Sequence, residues 1–481
     1  MATKCRARTG LLCGQPTRPR GASTSCRRGF RSRTIHQRQP GKAKSVIKAI
    51  QVSAARLWHA VAGTELRRDV LETYAVRLLV VAITFATAVV VTRQLGPSGR
   101  GFYAVAVTIG AIGAQFGNMG LHASNMYYVA KDRALLPALT GNTLAVSLLA
   151  SIPTALGGFA LVLWPKLAPI HGTLLLLALA SVPSALLYQL TQGLLLGANE
   201  VRAYNKIEYS SRILTLLLIC ILALVHVRAV EPFFSVTLVS AIFGFLWAFL
   251  RLGKVSTSPP TLSFTVFRQS IGVGLRAYLI AFFGFLVLRI DLLMVKYMLG
   301  ATEAGYYSIS QVLAENTMMF PVVVGLLLFP KLSGITDRQV KLRLANKAVL
   351  ATAALMLPAV SIAPLVAAPV ISIAFGRTFL PAVVPFAWLM PGTFFLGLET
   401  VMVQLLNSEG FPTVIIVAWI ADTLVNVALN LWAIPHYGIS GASIVSSLCY
   451  FLMFIMVFAV VWQRNYARPP LPAGAPDLRP A

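Results

Sequence analysis

The residues most able to do chemistry in this sequence are ionised side chains set inside long apolar stretches. Four arginines (Arg77, Arg212, Arg276, Arg289) and four acids (Asp291, Glu315, Glu399, Asp422) stand in such positions. Holding a charge in hydrocarbon costs on the order of a few kcal/mol unless it is paired, hydrated or able to snorkel to an interface, so each needs a reason. Arg289 and Asp291 are two residues apart, about 200° around a helix, and do not form an intimate pair. At least one of them must then face another helix or a hydrated cleft. Asp422, Asn426 and Asn430 recur at i, i+4 and i+8 and line one helical face with polar groups, and Gln311 with Glu315 makes a shorter stripe of the same kind. Gln115 and Asn118, with His122, mark a polar face opposite a glycine ridge at Gly110, Gly113, Gly117 and Gly120. Gln189 and Gln192 are a weaker pair of the same type. Such faces either line a cleft or serve as hydrogen-bonding glue between helices, while the glycine ridge reads as a close helix–helix contact.

These positions call for membrane-spanning elements. Of 481 residues, 57% are hydrophobic and 12% charged, against about 25% charged in an ordinary globular chain. An apolar stretch of about 20 residues is enough to cross the hydrocarbon. Such stretches predict an all-α integral membrane protein of about twelve spans, at 73–92, 101–121, 143–164, 174–196, 210–227, 232–250, 271–295, 306–329, 348–373, 380–406, 413–434 and 439–462. On those boundaries Arg77, Arg212 and Arg276 lie within one to two turns of a cytoplasmic helix end, where snorkelling is open to them. Arg289 lies toward the outer end of the seventh span, beyond that range.

Charge in the loops sets the orientation. Loops on the amino-terminal side, with the segment 463–481, carry 15 Lys and Arg, and the opposite loops carry 6. By the positive-inside rule both termini lie in the cytoplasm of a cell (inner or plasma) membrane. The formal net charge is +26. About half of that excess falls in residues 1–72, where 16 basic residues meet three acids. Beside a membrane domain such a tail suits anionic lipid rather than nucleic acid. Its Arg, Ser, Pro and Gly content predicts a disordered cytoplasmic extension. A transit-like segment or a start further downstream are the alternatives.

Leu95–Ala106 (LGPSGRGFYAVA) and Leu299–Ser310 (LGATEAGYYSIS) repeat at an offset of 204, with Leu, Gly, Gly and Tyr identical. Each follows the first span of a six-span set. Six is even, so the repeat is parallel, about a pseudo-twofold axis along the membrane normal. The expected organisation is a basic tail 1–72, a six-helix bundle 73–250, a Ser/Pro/Thr-rich linker 251–270, a second six-helix bundle 271–462 and a short tail 463–481. A substrate cleft between the two bundles follows from that design.

Arg289–Glu315 (RIDLLMVKYMLGATEAGYYSISQVLAE), Arg93–Tyr103 (RQLGPSGRGFY) and Ala428–Leu448 (ALNLWAIPHYGISGASIVSSL) resemble the polysaccharide or O-antigen flippases. These belong to the superfamily that also holds multidrug/toxin extruders and lipid II flippases. The resemblance covers roughly residues 66–465. It implies two six-helix lobes that open alternately to either side, and a polyprenyl-pyrophosphate-linked oligosaccharide as cargo, moved to the outer leaflet for polysaccharide biosynthesis. It implies partners of that kind too: membrane lipids, H+ or Na+ as coupling ion, and a polysaccharide polymerase or other assembly proteins.

For such a cargo Arg289 is the first candidate for the pyrophosphate, with Arg77, Arg276 and Arg212 receiving it, because guanidinium offers a planar fork of donors. Asp291, Gln311, Glu315, Glu399, Asp422, Asn426, Asn430, Gln115 and Asn118 are candidates for sugar hydroxyls or a coupling cation. A cation-coupled multidrug/toxin extruder is the alternative. It would want exposed carboxylates where a pyrophosphate flippase wants exposed arginines, and four of each leave the choice open. A membrane-embedded glycan polymerase needs large outer loops, and the longest here is about ten residues. Gly41–Ser45 (GKAKS) lacks the spacing of a phosphate loop, and no zinc-ligand pattern occurs. No enzyme activity, metal or cofactor is expected.

Overall fold

The computed structural model describes residues 64–163, 168–256, 258–410 and 412–465. Most of the two expected tails therefore lies outside the described residues. Residues 64–72 instead open the first helix. Among the described residues all regular structure is helical. The long elements are α1 (Thr64–Asn118), α2 (Leu121–Lys131), α3 (Leu136–Leu149), α4 (Ser151–Leu163), α5 (Gly172–Gly197), α6 (Val201–Leu224) and α7 (Val230–Val255). They continue with α8 (Phe264–Val287), α9 (Ile290–Leu299), α10 (Ala301–Thr317), α11 (Met319–Ser333), α12 (Arg338–Ala374), α13 (Val383–Asn407) and α14 (Thr413–Asn465).

Among the described residues nine stretches are long and apolar enough to cross a membrane, or ten when α10 and α11, bent by 43° across one residue, count as one. Large apolar side chains such as Leu365, Ile373 and Trp462 face outward from them, as lipid contact requires. Two stretches are far too long for one crossing: Val76–Asn118 has 43 residues and Thr413–Arg464 has 52. At 1.5 Å per residue the shorter would reach about 65 Å, twice the hydrocarbon thickness. Each is interrupted by a glycine, Gly96 (φ 64°, ψ −176°) and Gly438 (φ 62°, ψ −148°). The chain doubles back at both. A Cβ on Gly441 would lie 2.4 Å from the Ala433 carbonyl oxygen, where a straight helix would hold the two about 12 Å apart. Thr84 and Ala111 likewise line one cavity.

The repeat has a backbone counterpart. Gly96 and Gly300 both sit at positive φ with extended ψ, at 64° and 98°, and Gly172 and Gly376 share positive φ, at 63° and 105°. Both pairs are 204 residues apart. The two repeated turns also meet. A Cβ on Gly101 would fall 1.8 Å from the Ala301 carbonyl oxygen, and one on Gly305 would fall 2.0 Å from that of Pro97. Pro97 and Ala301 are themselves 204 apart, so the contact is reciprocal.

An apolar cluster closes round this meeting point, joining Val91, Tyr103, Val105, Phe233 and Phe234 to Val295, Tyr307, Ile434 and Ala442. Arg93 adds a tie by donating from Nε to the Ala374 carbonyl at 2.8 Å and from its other guanidinium nitrogen to Ile373, at the carboxyl end of α12. That end of a helix is rich in unsatisfied carbonyls and attracts a cation.

At the opposite end of the spans, α8 crosses to the first half. Gly120 and Gly274 meet backbone to backbone, each barring a Cβ by a carbonyl at 2.6–2.7 Å. Tyr278 donates to the Phe116 carbonyl at 3.0 Å. The connection after α7 is docked as well: Asn142 donates to the Ser263 carbonyl at 2.9 Å and accepts from the Ser263 N–H at 3.0 Å. The side chain of Ser263 in turn caps α8 through the Val266 N–H.

Candidate functional site

A cavity of about 680 Å³ opens between α1, α5, α6 and α7, with α10 contributing one wall. The glycine ridge lets two walls of the cavity, α1 and α5, pack closely. Gly110, Gly113 and Gly117 take Ser181, Val182 and Leu186 of α5 against their bare Cα atoms. Hydroxyl groups recur around the walls: Thr84, Thr87, Tyr103, Ser181, Ser184, Tyr188, Ser211, Thr215, Thr237 and Ser240. Charge is supplied by Arg100, Arg212 and Glu315.

Each charge is held differently. Arg100 is 6% exposed, donates from Nε to Ser308 Oγ at 3.1 Å and lies 5.6 Å from the Tyr103 ring centroid. Arg212 is met by Glu208, one turn earlier on α6, through two nitrogens on Oε1 at 3.3 Å each. The other carboxylate oxygen of Glu208 accepts from the Tyr188 hydroxyl at 2.8 Å. Glu315 accepts from Arg289 at 2.8 Å. Arg289 caps α9 at the break between α8 and α9, lies over the Phe285 ring at 5.7 Å and reaches the cavity through Glu315.

Of the expected site residues, the cavity therefore gathers Arg212 and Glu315 directly and Arg289 through its partner. Arg212 was expected near a helix end. α6 begins at Val201 rather than 210, which places the guanidinium about 16 Å along a 24-residue helix. Arg77 and Arg276 stand near the start of the apolar stretches that hold them, which begin at Val76 and Gly274. Both are exposed, and Arg77 donates to the Tyr204 hydroxyl at 3.1 Å.

The other polar stripes lie apart from this cavity. Asp291, fully buried, accepts from Gln311 Nε2 at 2.9 Å, from Ser446 Oγ at 2.9 Å, from its neighbour's N–H at 2.7 Å and from the Tyr307 hydroxyl. It ties α9, α10 and α14 together. Gln311 and Glu315, four residues apart on α10, thus turn to different environments. Asp422, Asn426 and Asn430 are all buried in α14, with Asn430 donating to Asn426 at 3.1 Å. The Asp422 carboxylate has the Cys449 thiol beside it and no nitrogen or hydroxyl donor, and Glu399 of α13 is buried as well. No group of three or more metal-ligating side chains stands together among the described residues. Gln115 meets Gln189 of α5 at 3.4 Å, and Asn118 accepts from the His122 N–H at 3.0 Å.

Sequence reading missed Arg100, Tyr103, Tyr188 and Glu208. Arg100 and Glu208 fell in segments read as loops, 93–100 and 197–209, where a charge needs no explanation. Both lie inside helices. Tyr103 belonged to the repeat and was visible there, without a sign that it lines a cavity.

An all-helical bundle with apolar helices long enough to span a membrane and a cavity bearing arginine, tyrosine and other hydroxyl groups defines an integral membrane protein with a charged internal cavity. A family model described as polysaccharide biosynthesis protein matches residues 90–384, more than half of the sequence, and the chain belongs to that family. No curated protein matches the chain in sequence. Among solved structures the fold is similar to an inward-facing multidrug resistance MATE family transporter of the MOP superfamily. That match has 15% identity over 80% of this chain and 94% of the other, at a TM-score of 0.66. It is also similar to the lipid II flippase MurJ in an inward closed conformation, with 15% identity, 82% and 87% coverage and a TM-score of 0.65. The eukaryotic MATE transporter AtDTX14 follows, with 12% identity, 82% and 95% coverage and a TM-score of 0.56. At these identities the likeness is one of fold.

Proposed function

We propose that the chain is a flippase that carries a polyprenyl-pyrophosphate-linked oligosaccharide from the cytoplasmic to the outer leaflet by alternating access. The observation that carries this reading is the cavity itself: two guanidinium groups, Arg100 and Arg212, among ten hydroxyl-bearing side chains, in a member of a polysaccharide biosynthesis family. Guanidinium forks suit a pyrophosphate, and hydroxyls suit the sugars attached to it. The fold shared with a lipid II flippase supports the same reading. No chemistry on the cargo is part of it, and the chain is taken as a transporter and not an enzyme.

The architecture proposed for this work has twelve crossings in two halves. The nine long stretches, the bent pair and the two doubled-back helices sum to that number. The halves are 73–250 and 271–462, joined by 251–270, with both termini in the cytoplasm of the cell membrane. The 204-residue spacing of Gly96 with Gly300 and of Gly172 with Gly376 supports the repeat, as does the reciprocal contact of Gly101 and Gly305. The outer turns are packed shut by that contact, and Arg212 is the group that cargo entering from the cytoplasm would meet. Arg77 and Arg276 serve at the mouth, and Arg289 stands behind Glu315. The buried carboxylates Asp422 and Glu399 are the candidates for a coupling H+ or Na+. A polymerase that uses the exported unit is the natural partner.

The second reading, a cation-coupled multidrug extruder, rests on Glu315 at the cavity wall and on the MATE-like fold. The two separate in cells that lack their own glycan flippase. Arg212→Ala and Arg100→Ala should each stop export of the lipid-linked glycan at normal membrane abundance. Full export by both variants, or wild-type resistance to cationic drugs that depends on Glu315, would overturn the flippase reading.

A further inference from the structure

The contact between Arg212 and Glu208 is unlike the other ion pair at the cavity. Charge-assisted N–H···O contacts run at about 2.7–2.9 Å when strong. Arg289 and Glu315 meet that standard at 2.8 Å. Arg212 and Glu208 do not: both guanidinium contacts are 3.3 Å and both fall on one oxygen. Three of the five donors of Arg212 are left over, and its side chain is 46% exposed, to a cavity, while Glu208 is 13% exposed. Glu208 already has a second partner at a better distance, the Tyr188 hydroxyl at 2.8 Å. The carboxylate is therefore anchored by the tyrosine and only leans on the arginine.

A bare guanidinium at this depth would be costly while the cavity is empty. A weak resident anion removes that cost without filling the site. We propose that Glu208 is a displaceable counter-ion: it neutralises Arg212 in the empty cavity and yields the guanidinium to an incoming phosphate or pyrophosphate group, while Tyr188 retains the carboxylate. Arg100 completes the anion site. It donates to Ser308 and lies against the Tyr103 ring. The Glu315 carboxylate reaches it only through the longer-range field and is itself held by Arg289, and Tyr103 lies within electrostatic reach of both arginines. The return of Glu208 to Arg212 favours departure of the anion, so the same group that lowers affinity supports turnover. This inference rests on the reading of the cavity as an anion-binding flippase site. It assigns to that site a residue whose effect is opposite in sign to that of the arginines.

The sign makes the test sharp. The full-length protein in detergent micelles is titrated with inorganic pyrophosphate and with farnesyl pyrophosphate by calorimetry at low salt, with farnesol as the uncharged control. Glu208→Gln keeps a hydrogen-bonding partner for Tyr188 but removes the competing charge, and should tighten pyrophosphate binding roughly tenfold, about 1.4 kcal/mol. Tyr188→Phe frees the carboxylate to settle on Arg212 and should weaken binding several-fold, an effect that vanishes in the Glu208→Gln background. Arg212→Ala should weaken binding in every background. In cells Glu208→Gln should export less glycan than wild type in spite of its higher affinity.

Wild-type binding with Glu208→Gln equal to or weaker than wild type, at unchanged melting temperature, would overturn the counter-ion role and leave the flippase reading standing. If Glu208→Gln fails to fold, Tyr188→Phe binding as tightly as wild type overturns it instead. Absence of pyrophosphate binding by wild type and Glu208→Gln alike would sink both readings together.

Discussion

Gly101 and Gly305 offer the most direct perturbation of the fold, because the space left for a side chain at each is negative. A Cβ on Gly101 would sit 1.8 Å from the carbonyl oxygen of Ala301 and 2.8 Å from its carbon. On Gly305 it would sit 2.0 Å from the oxygen of Pro97 and 2.9 Å from its carbon. An ordinary carbon–oxygen contact is about 3.3 Å, so each alanine must drive two backbone segments roughly 1.4 Å apart. No flexible side chain can absorb that. Overpacking costs typically about 1–3 kcal/mol, and a backbone obstacle puts these sites near the upper figure. About 3 kcal/mol placed only on the arrangement in which these two turns are packed together shifts an equilibrium roughly 150-fold toward one in which they part.

The assay is labelling of a cysteine at Val107, on the cavity wall, by a membrane-impermeant maleimide added outside the cell. The background has the five native cysteines replaced. Gly101→Ala and Gly305→Ala should each raise outer labelling strongly, to a similar extent, and impair transport. Gly96→Ala is the contrast. Its φ of 64° with ψ of −176° is a conformation that L side chains rarely adopt, but nothing lies within 4 Å of the new carbon, so its cost is local backbone strain of about 1–3 kcal/mol with no second segment pushed away. Wild-type labelling, melting and transport for both Gly101→Ala and Gly305→Ala would refute the reasoning.

Asp291→Ala should lower stability in detergent by about 3 kcal/mol, since the charged acceptor of Tyr307, Gln311 and Ser446 is lost in a buried place. Asp291→Asn should recover part of that, and an unchanged melting temperature would reject a structural role. Asn142→Ala removes both hydrogen bonds to Ser263 and should cost about 2 kcal/mol, visible as faster proteolysis of the segment after α7. Arg77→Ala loses one exposed hydrogen bond and should change stability by no more than about 0.5 kcal/mol, with export reduced less than in Arg212→Ala.

The all-helical membrane class was legible because composition and hydropathy have a direct physical cause in lipid contact. Hydropathy marks the apolar stretches, and the LG……G.Y repeat falls where the structure has positive φ at Gly96 and Gly300 and close approach at Gly101 and Gly305, features the repeat alone did not disclose. The glycine ridge on α1 read correctly as a packing surface. Arg289 and Asp291 could be separated by geometry alone, and they do part, one to Glu315 and the other to Tyr307. Their destinations could not be read, since each partner comes from another helix. The same holds for Gln311 and Glu315. Two residues on one helical stripe share a direction only roughly, and whether a neighbour or a cavity stands there is a tertiary fact. Glu208 was hidden by a boundary error of nine residues, and Arg100 by the assignment of 93–100 to a loop where the helix continues. An amphipathic helix end resembles a loop when only hydropathy is weighed.

The central claim is that the arginine-lined cavity carries a pyrophosphate-linked glycan across the bilayer, and one reconstitution tests it. The purified full-length protein is placed in proteoliposomes containing a polyprenyl-pyrophosphate oligosaccharide confined to the inner leaflet, and exposure of the glycan to an external glycosidase is followed in time. Wild type should speed exposure well above protein-free vesicles, and Arg212→Ala and Arg100→Ala should return it to that background. Folded wild-type protein that leaves the glycan inside, with or without an imposed H+ or Na+ gradient, while expelling an amphipathic cationic dye, would contradict the account.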